Sequence, residues 1–396
     1  VLLHSDLLAQ ALKQHGYLPA LHLSCRDDIE SIHDALTYLC TRTSAVIISG
    51  GLGPTSDDQT RHALARWKSE PLELREDQLL LLKAYFRRKQ RDFEGANRIQ
   101  AMFPPSSKVI PNPNGTAAGI YLQNDEGALI FALPGVPSEL HAMFQESVVP
   151  LLKEALPLST HEKVQTIHLF GLPESTVGRR ISELNISEAI SLGYRAHFPE
   201  LEVRLSSSDP EAPIEGASQE IQKMLGEEYV VSSAEDMFLP EVISHLLLHQ
   251  RKTVAVAESC TGGLLGKLLT DRSGSSAFFL GGALTYSNEA KQKILSVSPH
   301  TLENYGAVSE QTAMEMARGT RELLGADIGI SLTGIAGPEG GSDEKPVGTF
   351  YLGISTEGHC EASRYFFSGS RNAVRRYAAY CALDCVRRYL SGFPLR

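Results

Sequence analysis

The apolar positions of the first 156 or so residues keep switching between two periods. LLAQALKQHG (7–16) carries its apolar residues at helical spacing, and Gly16 is placed to stop that helix. YLPALHLSC (17–25) predicts a strand. DDIESIHDALTYLCTR predicts a helix with acids in its first turn, where the helix dipole favours them. SAVIISG is a short β-branched run suited to a buried parallel strand. KVIPN and ALIFALP predict further strands, and SELHAMFQESVVPLLKEAL closes this part as a long helix. Such alternation implies a doubly wound α/β sheet.

From about 162 to 232 the pattern changes to a small α+β unit. VQTIHLFG, LEVRLSS and EEYVVSS predict strands, and STVGRRISEL and PIEGASQEIQKMLG predict helices. This unit resembles a KH-type module but lacks the GxxG clamp for nucleic acid, so a spacer role is expected. After 236 a third α/β unit begins with DMFLPEVISHLLLHQRK. Its strands read TVAVAES, AFFLGGALTYS, ADIGISLTG and GTFYLGIST, and RNAVRRYAAYCALDCVRRYL ends the chain as a helix. The domain expectation is therefore 1–160, 161–235 and 236–396, consistent with 396 residues at roughly 100–200 per domain.

Composition narrows the function classes. With 42% hydrophobic and 21% charged residues, the chain can build full cores without disulfide or metal staples. A formal net charge of -10 argues against non-specific nucleic-acid binding. The six cysteines show no zinc-like spacing, and Cys381 and Cys385, four apart on a predicted helix, read as packed thiols suited to a reducing cytoplasm. No apolar run approaches the ~20 residues needed to cross a bilayer, and no signal peptide is evident, so no membrane partner is expected. The chain starts at Val1 and enters a helical pattern at once, which suggests that an N-terminal piece is absent.

In the third unit, three predicted strands end on hydroxyl residues: Ser259, Tyr286 and Thr333. Ligands of open α/β sheets bind at the carboxyl ends of strands. After Ser259, Gly262 and Gly263 introduce a helix whose first N–H groups suit a phosphate or an oxyanion, with Thr261 beside them. Ser287 or Asn288 can cap a helix that carries Lys291 one turn in, where a partly desolvated amine can act as general base to Ser259. The loop after Thr333 has five glycines in 15 residues and suits a substrate cradle. Blander readings stand beside these. Ser259 can be a plain N-cap, Tyr286 packing, and Lys291 a solvated charge. Cys260 is the better nucleophile if its pKa is depressed, although no His and Asn partners are evident.

AESCTGG, LGGALTYSNEAKQKIL and TGIAGPEGGSDEKPVGTFYLGI closely resemble the C-terminal domain of the CinA (competence/damage-inducible) family, over about 236–396. The resemblance implies an α/β amidohydrolase that converts nicotinamide mononucleotide to nicotinate mononucleotide and ammonia without a cofactor. It implies Ser259 as nucleophile, Lys291 as base and Tyr286 as assisting hydroxyl. It also implies Thr261, Gly262, Gly263, Ser276, Thr333, Gly334 and Gly337 as substrate contacts. Arg371 and Arg375, in SGSRNAVRR, fit the family's basic helix start and can hold the phosphate.

In the first unit, SAVIISGGLGPTSDDQT runs from strand through a Gly-rich loop to a helix. Gly50, Gly51 and Gly53 permit a tight turn around an anion, and Thr55 or Ser56 can cap the helix. Asp57 and Asp58 either complement the helix dipole or reach a metal ion, with Asp58 the candidate ligand. Gly115 and Thr116 in PNPNGTAAG, and Gly135 in LPGVPSEL, add two more loops to the same cleft. Together these motifs resemble the molybdopterin-binding fold of the MogA/MoaB type, the N-terminal half of full-length CinA proteins. The resemblance implies a nucleotide-binding domain that hydrolyses ADP-ribose with a divalent metal, and a homodimer. Family members begin with a strand and a polar NTN stretch, whereas here His4 and Asp6 lie where that stretch would end. The rival reading is a non-catalytic pterin- or nucleotide-binding protein. A DNA-uptake partner, suggested by the family's name, is disfavoured by the charge.

Overall fold

The structure is a computed structural model that describes residues 7–9, 11–13, 15–157, 163–235 and 237–395. These fall into two compact units, Val1–His161 and Glu162–Arg396. His4 and Asp6 lie outside the described residues, as do parts of the first predicted helix, which is helical at 7–9 and 11–13.

In the first unit, α1 (Ile29–Cys40) is capped by Asp28, whose carboxylate accepts the Ser31 N–H at 2.8 Å. Strand β1 (Ala45–Ser49) leads through the glycine loop into α2 (Thr60–Trp67), then β2 (Glu73–Leu74), α3 (Glu76–Arg88) and β3 (Met102–Phe103). Strands β4 (Lys108–Ile110), β5 (Gly119–Gln123) and β6 (Leu129–Leu133) follow, then α4 (Pro137–Met143) and α5 (Val149–Ala155). The main sheet has the order β1-β6-β5-β4, with β1 parallel to β6 and the other pairs antiparallel. The strand expected at 17–25 does not form. Among the described residues β1 is a sheet edge that pairs only with β6, and 18–27 run exposed and unpaired.

The second unit holds two sheets. Strands β7 (Lys163–Phe170), β8 (Ser191–His197), β9 (Glu200–Ser207) and β10 (Val230–Ser232) form an antiparallel sheet of order β10-β7-β9-β8. Helices α6 (Glu174–Ile181) and α7 (Ile214–Leu225) cover one face. The last sheet has the order β12-β11-β13-β14-β15: β11 (Val254–Glu258), β12 (Phe279–Leu284), β13 (Ile328–Gly334), β14 (Thr349–Thr356) and β15 (His359–Phe366). Its first three strands are parallel and the last two antiparallel. On one face pack α8 (Leu239–Gln250), α9 (Leu264–Thr270) and α13 (Arg371–Ser391). On the other lie α10 (Asn288–Leu295), α11 (Pro299–Tyr305) and α12 (Glu310–Leu324).

The middle sheet is more than a spacer. Phe170 and Val231 belong to the same apolar core as α8 and α13. Asp384, buried on α13, accepts from Arg387 and Arg388 at 2.7–2.8 Å, and both guanidiniums also donate to the Glu228 carbonyl. Glu200 reaches from the β8–β9 turn to accept the Leu239 N–H at the start of α8. Burial pushes that carboxyl up to about 8.

Candidate functional site

The parallel register of β11, β12 and β13 brings three hydroxyl residues into one row. Ala257 and Ala283 face the same core, and two residues further along each strand stand Ser259 and Thr285. The Ser259 N–H bonds the Leu332 carbonyl at 3.0 Å and the Thr285 N–H bonds the Glu258 carbonyl at 2.9 Å, so the row runs Thr285, Ser259, Thr333. Thr333 is buried and spends its hydroxyl on the Ala307 carbonyl at 2.6 Å. The Thr285 hydroxyl, also buried, has no partner among the described residues.

Lys291 rises from α10 into this row. Ser287 caps that helix by accepting the Ala290 N–H at 3.1 Å. Lys291 is only 1% exposed, and its amine meets Ser259 Oγ at 3.1 Å, the Thr285 carbonyl at 2.7 Å and the Tyr286 carbonyl at 3.4 Å. Burial holds its pKa below the ordinary lysine value. A neutral amine has two N–H groups for the two carbonyls and a lone pair for the serine proton, which is the arrangement a general base needs. Lys291 is therefore not a solvated charge. Ser259 is not the N-cap of α9 either, because Gly263 holds that position.

Cys260 is buried with Ala336 and Val374, and burial pushes its thiol up to about 12. It is protonated at any physiological pH and faces packing atoms.

The donors of the glycine turn are distributed differently from the sequence expectation. Gly262 and Gly263 adopt φ of +60° and +93°, which lets the chain fold back from β11 into α9. The Gly262 N–H bonds the Ser259 carbonyl. Those of Gly263, Leu265 and Gly266 go to the buried carboxylate of Glu258, at 3.0, 3.1 and 2.8 Å. The helix start is thus already filled by an anion from the chain itself. The N–H groups of Cys260 and Thr261 face the Cys260 sulfur, and their hydrogen bonds to it oppose part of the rise that burial causes in its pKa. Thr261 is fully buried, with an unpartnered hydroxyl.

Around the mouth, Tyr286 is exposed, and its hydroxyl accepts from Arg371 at 3.3 Å. Arg371 also donates to the Gly337 carbonyl at 2.6 Å, and Gly337 precedes a cis proline, Pro338. Arg375 grips the Thr261 carbonyl at 2.7 and 3.2 Å. Neither arginine has a carboxylate partner among the described residues. Gly334 lies against Phe350 of β14, where a Cβ would collide with that residue's backbone. Ser276 stands apart. It lies in the turn before β12, whose Phe278 carbonyl bonds the N–H of Val254 at the opposite end of the sheet.

In the first unit three loops meet at the carboxyl ends of β1 and β6. The Gly50 N–H bonds the Leu133 carbonyl, two residues before Gly135, and Thr60 donates its hydroxyl to the Gly50 carbonyl and its N–H to Gly51. Gln100 donates to Thr116 at 3.2 Å. Asn112 holds the Gly115 N–H and donates to Glu139 at 2.7 Å, and a Cβ on Gly115 would strike that carboxylate. Arg61 is fully buried, donating to the carbonyls of Met102 and Leu52, and burial lowers its pKa to about 10. Arg61, Gln100, Asn112 and Glu139 did not stand out in the sequence.

Two expectations are corrected here. Thr55 and Ser56 do not cap α2, which begins at Thr60 behind Gln59. Asp57 and Asp58 precede that helix, and Asp58 instead accepts the Thr55 N–H and hydroxyl. Burial raises the Asp27 pKa and the nearby Asp58 and Asp57 add to the rise, while among the described residues no group of three or more His, Cys, Asp or Glu converges as metal ligands.

Similar proteins fix the family. A CinA-like protein of Geobacter sulfurreducens is 41% identical over 389 residues, spanning 97% of this chain and 94% of its own length. The chain belongs to the CinA family. A second CinA-like protein, from Geobacter metallireducens, is 38% identical over 393 residues, with 98% and 94% covered. Residues 236–390 match the family described as the CinA C-terminal domain, and residues 4–154 match the probable molybdopterin binding domain. The crystal structure of a CinA superfamily protein from Klebsiella pneumoniae is 37% identical, covering 39% of this chain and 97% of that one, at TM-score 0.38. Among the described residues, no helix of this CinA chain is long and apolar enough to cross a membrane.

Proposed function

We propose that the row at Ser259 is a Ser–Lys amidohydrolase site. It would hydrolyse the carboxamide of nicotinamide mononucleotide to nicotinate mononucleotide and ammonia. The observation that carries this reading is the buried lysine amine 3.1 Å from Ser259 Oγ. The neutral amine takes the serine proton as Oγ attacks the amide carbon, and a tetrahedral oxyanion forms. The Lys291 ammonium returns its proton to the leaving nitrogen, which departs as ammonia and leaves an acyl ester on Ser259. The same amine then deprotonates a water that cleaves the ester, releasing the carboxylate product and restoring the serine. Arg371 and Arg375, without carboxylate partners, suit the substrate phosphate. Tyr286, tied to Arg371 at the mouth, fits a role in orienting the substrate.

For the first unit we propose binding of a phosphate-bearing nucleotide, with ADP-ribose the first candidate, at the loops around Gly50–Gly53, Gly115–Thr116 and Gly135. No hydrolytic step is proposed there.

The test is ammonia release from nicotinamide mononucleotide, its riboside and free nicotinamide by the purified chain. Turnover of the mononucleotide well above the other two is expected. Equal turnover of all three would remove the phosphate role, and turnover of none would leave the binding-protein reading in its place.

A further inference from the structure

Glu258 is the single acid in the strand VAVAE, and it is 2% exposed. No cation pairs with it among the described residues. Its charge is met by the three N–H groups of Gly263, Leu265 and Gly266. An isolated buried carboxylate is costly, so its presence beside a nucleophile calls for a reason. A neutral Ser, Thr or Asn on the turn would cap a seven-residue helix at less cost.

We infer that Glu258 is a positioning residue for the turn that carries Ser259. This rests on the amidohydrolase reading above. The turn 259–263 is gripped on two sides. Glu258 draws the Gly263 N–H inward, and Arg375 holds the Thr261 carbonyl from α13. Ser259 opens this turn, with the Lys291 amine 3.1 Å from its Oγ. A mere helix cap would affect stability alone. A positioning residue affects the chemical step.

The experiment compares the full chain with Glu258→Gln, which keeps the shape and removes the charge. Three quantities are read: kcat and KM for amide hydrolysis, the rate at which a fluorophosphonate probe labels Ser259, and Tm. The probe reports serine reactivity independently of the natural substrate. Glu258→Gln is expected to lower kcat and labelling together by roughly 10–100-fold, below the full loss of an oxyanion donor, with KM within about twofold. Should that variant not fold, Glu258→Asp, with the charge drawn back by one methylene, is expected to show the same split to a smaller degree. A parent active in both assays, with the folded variant matching it within about twofold whatever its Tm, overturns the inference alone. A parent that neither releases ammonia nor takes the label overturns both readings.

Discussion

Lys291 Nζ stands 3.1 Å from Ser259 Oγ and 2.7 Å from the Thr285 carbonyl. Because burial lowers the lysine pKa from 10.5, the neutral base is available at lower pH than for an exposed lysine. The rate of amide hydrolysis should rise with pH through the lowered pKa and level off before 10.5. Lys291→Met should remove at least about 10³-fold of kcat while the chain stays folded. The unfolded chain binds the proton more tightly than the folded one, so parent stability should rise with pH between the lowered value and 10.5. The Met variant should lack that rise, and Tm measured across pH checks it.

Cys260 adjoins the nucleophile yet is protonated and packed against Ala336 and Val374. Cys260→Ala should keep kcat within about threefold and cost on the order of 1 kcal/mol of stability. Iodoacetamide at neutral pH should leave the parent's activity unchanged, as ammonia release before and after treatment would show.

Glu200 carries a pH signature of opposite sign to Lys291. Its carboxyl is held at about 8 against 4.5 when unfolded, mainly by burial; the Leu239 N–H and Arg376 oppose that rise, and Glu241 and Asp384 add to it. Below 4.5 the stabilising protonated form is present in full. As pH rises to about 8 the folded chain holds a proton that the unfolded chain has shed, so stability falls across that window. Glu200→Gln should flatten the fall in Tm between pH 5 and 8.

Asp384 neutralises two buried guanidiniums, Arg387 and Arg388. Asp384→Asn should cost about 3–5 kcal/mol, because the charges left behind stay buried. A Tm loss of about 10 °C is expected. Since both arginines also hold the Glu228 carbonyl, hydrogen exchange should quicken in 226–232 as well as in α13.

The sequence exposed the central strands and two members of the hydroxyl row because apolar runs such as TVAVAES and ADIGISLTG end abruptly on Ser259 and Thr333, but it pointed to Tyr286, which is exposed, where the buried Thr285 completes the row. It hid β8 and β15, where SLGYRAH and HCEASRYF lie at sheet edges and carry polar residues on exposed positions. The apparent strand at 17–25 is coil, exposed from 18 onward, although the edge of β1 pairs with no second strand among the described residues. The roles of Ser259, Lys291 and the glycine turn could be argued from spacing and resemblance. The occupation of the helix start by Glu258 could not, because the deciding fact is a side chain folding back over its own turn. A visible clue remained: one acid inside an otherwise apolar buried strand. In the first unit, glycines marked the loops, but Arg61 and Gln100 act through long-range carbonyl and hydroxyl contacts that leave no local pattern.

The most direct test of the account is ammonia release from nicotinamide mononucleotide by the parent chain and by Ser259→Ala, each shown to be folded by Tm. Turnover is expected in the parent, with at least about a 10³-fold loss in the variant. A Ser259→Ala chain as active as the parent would contradict it.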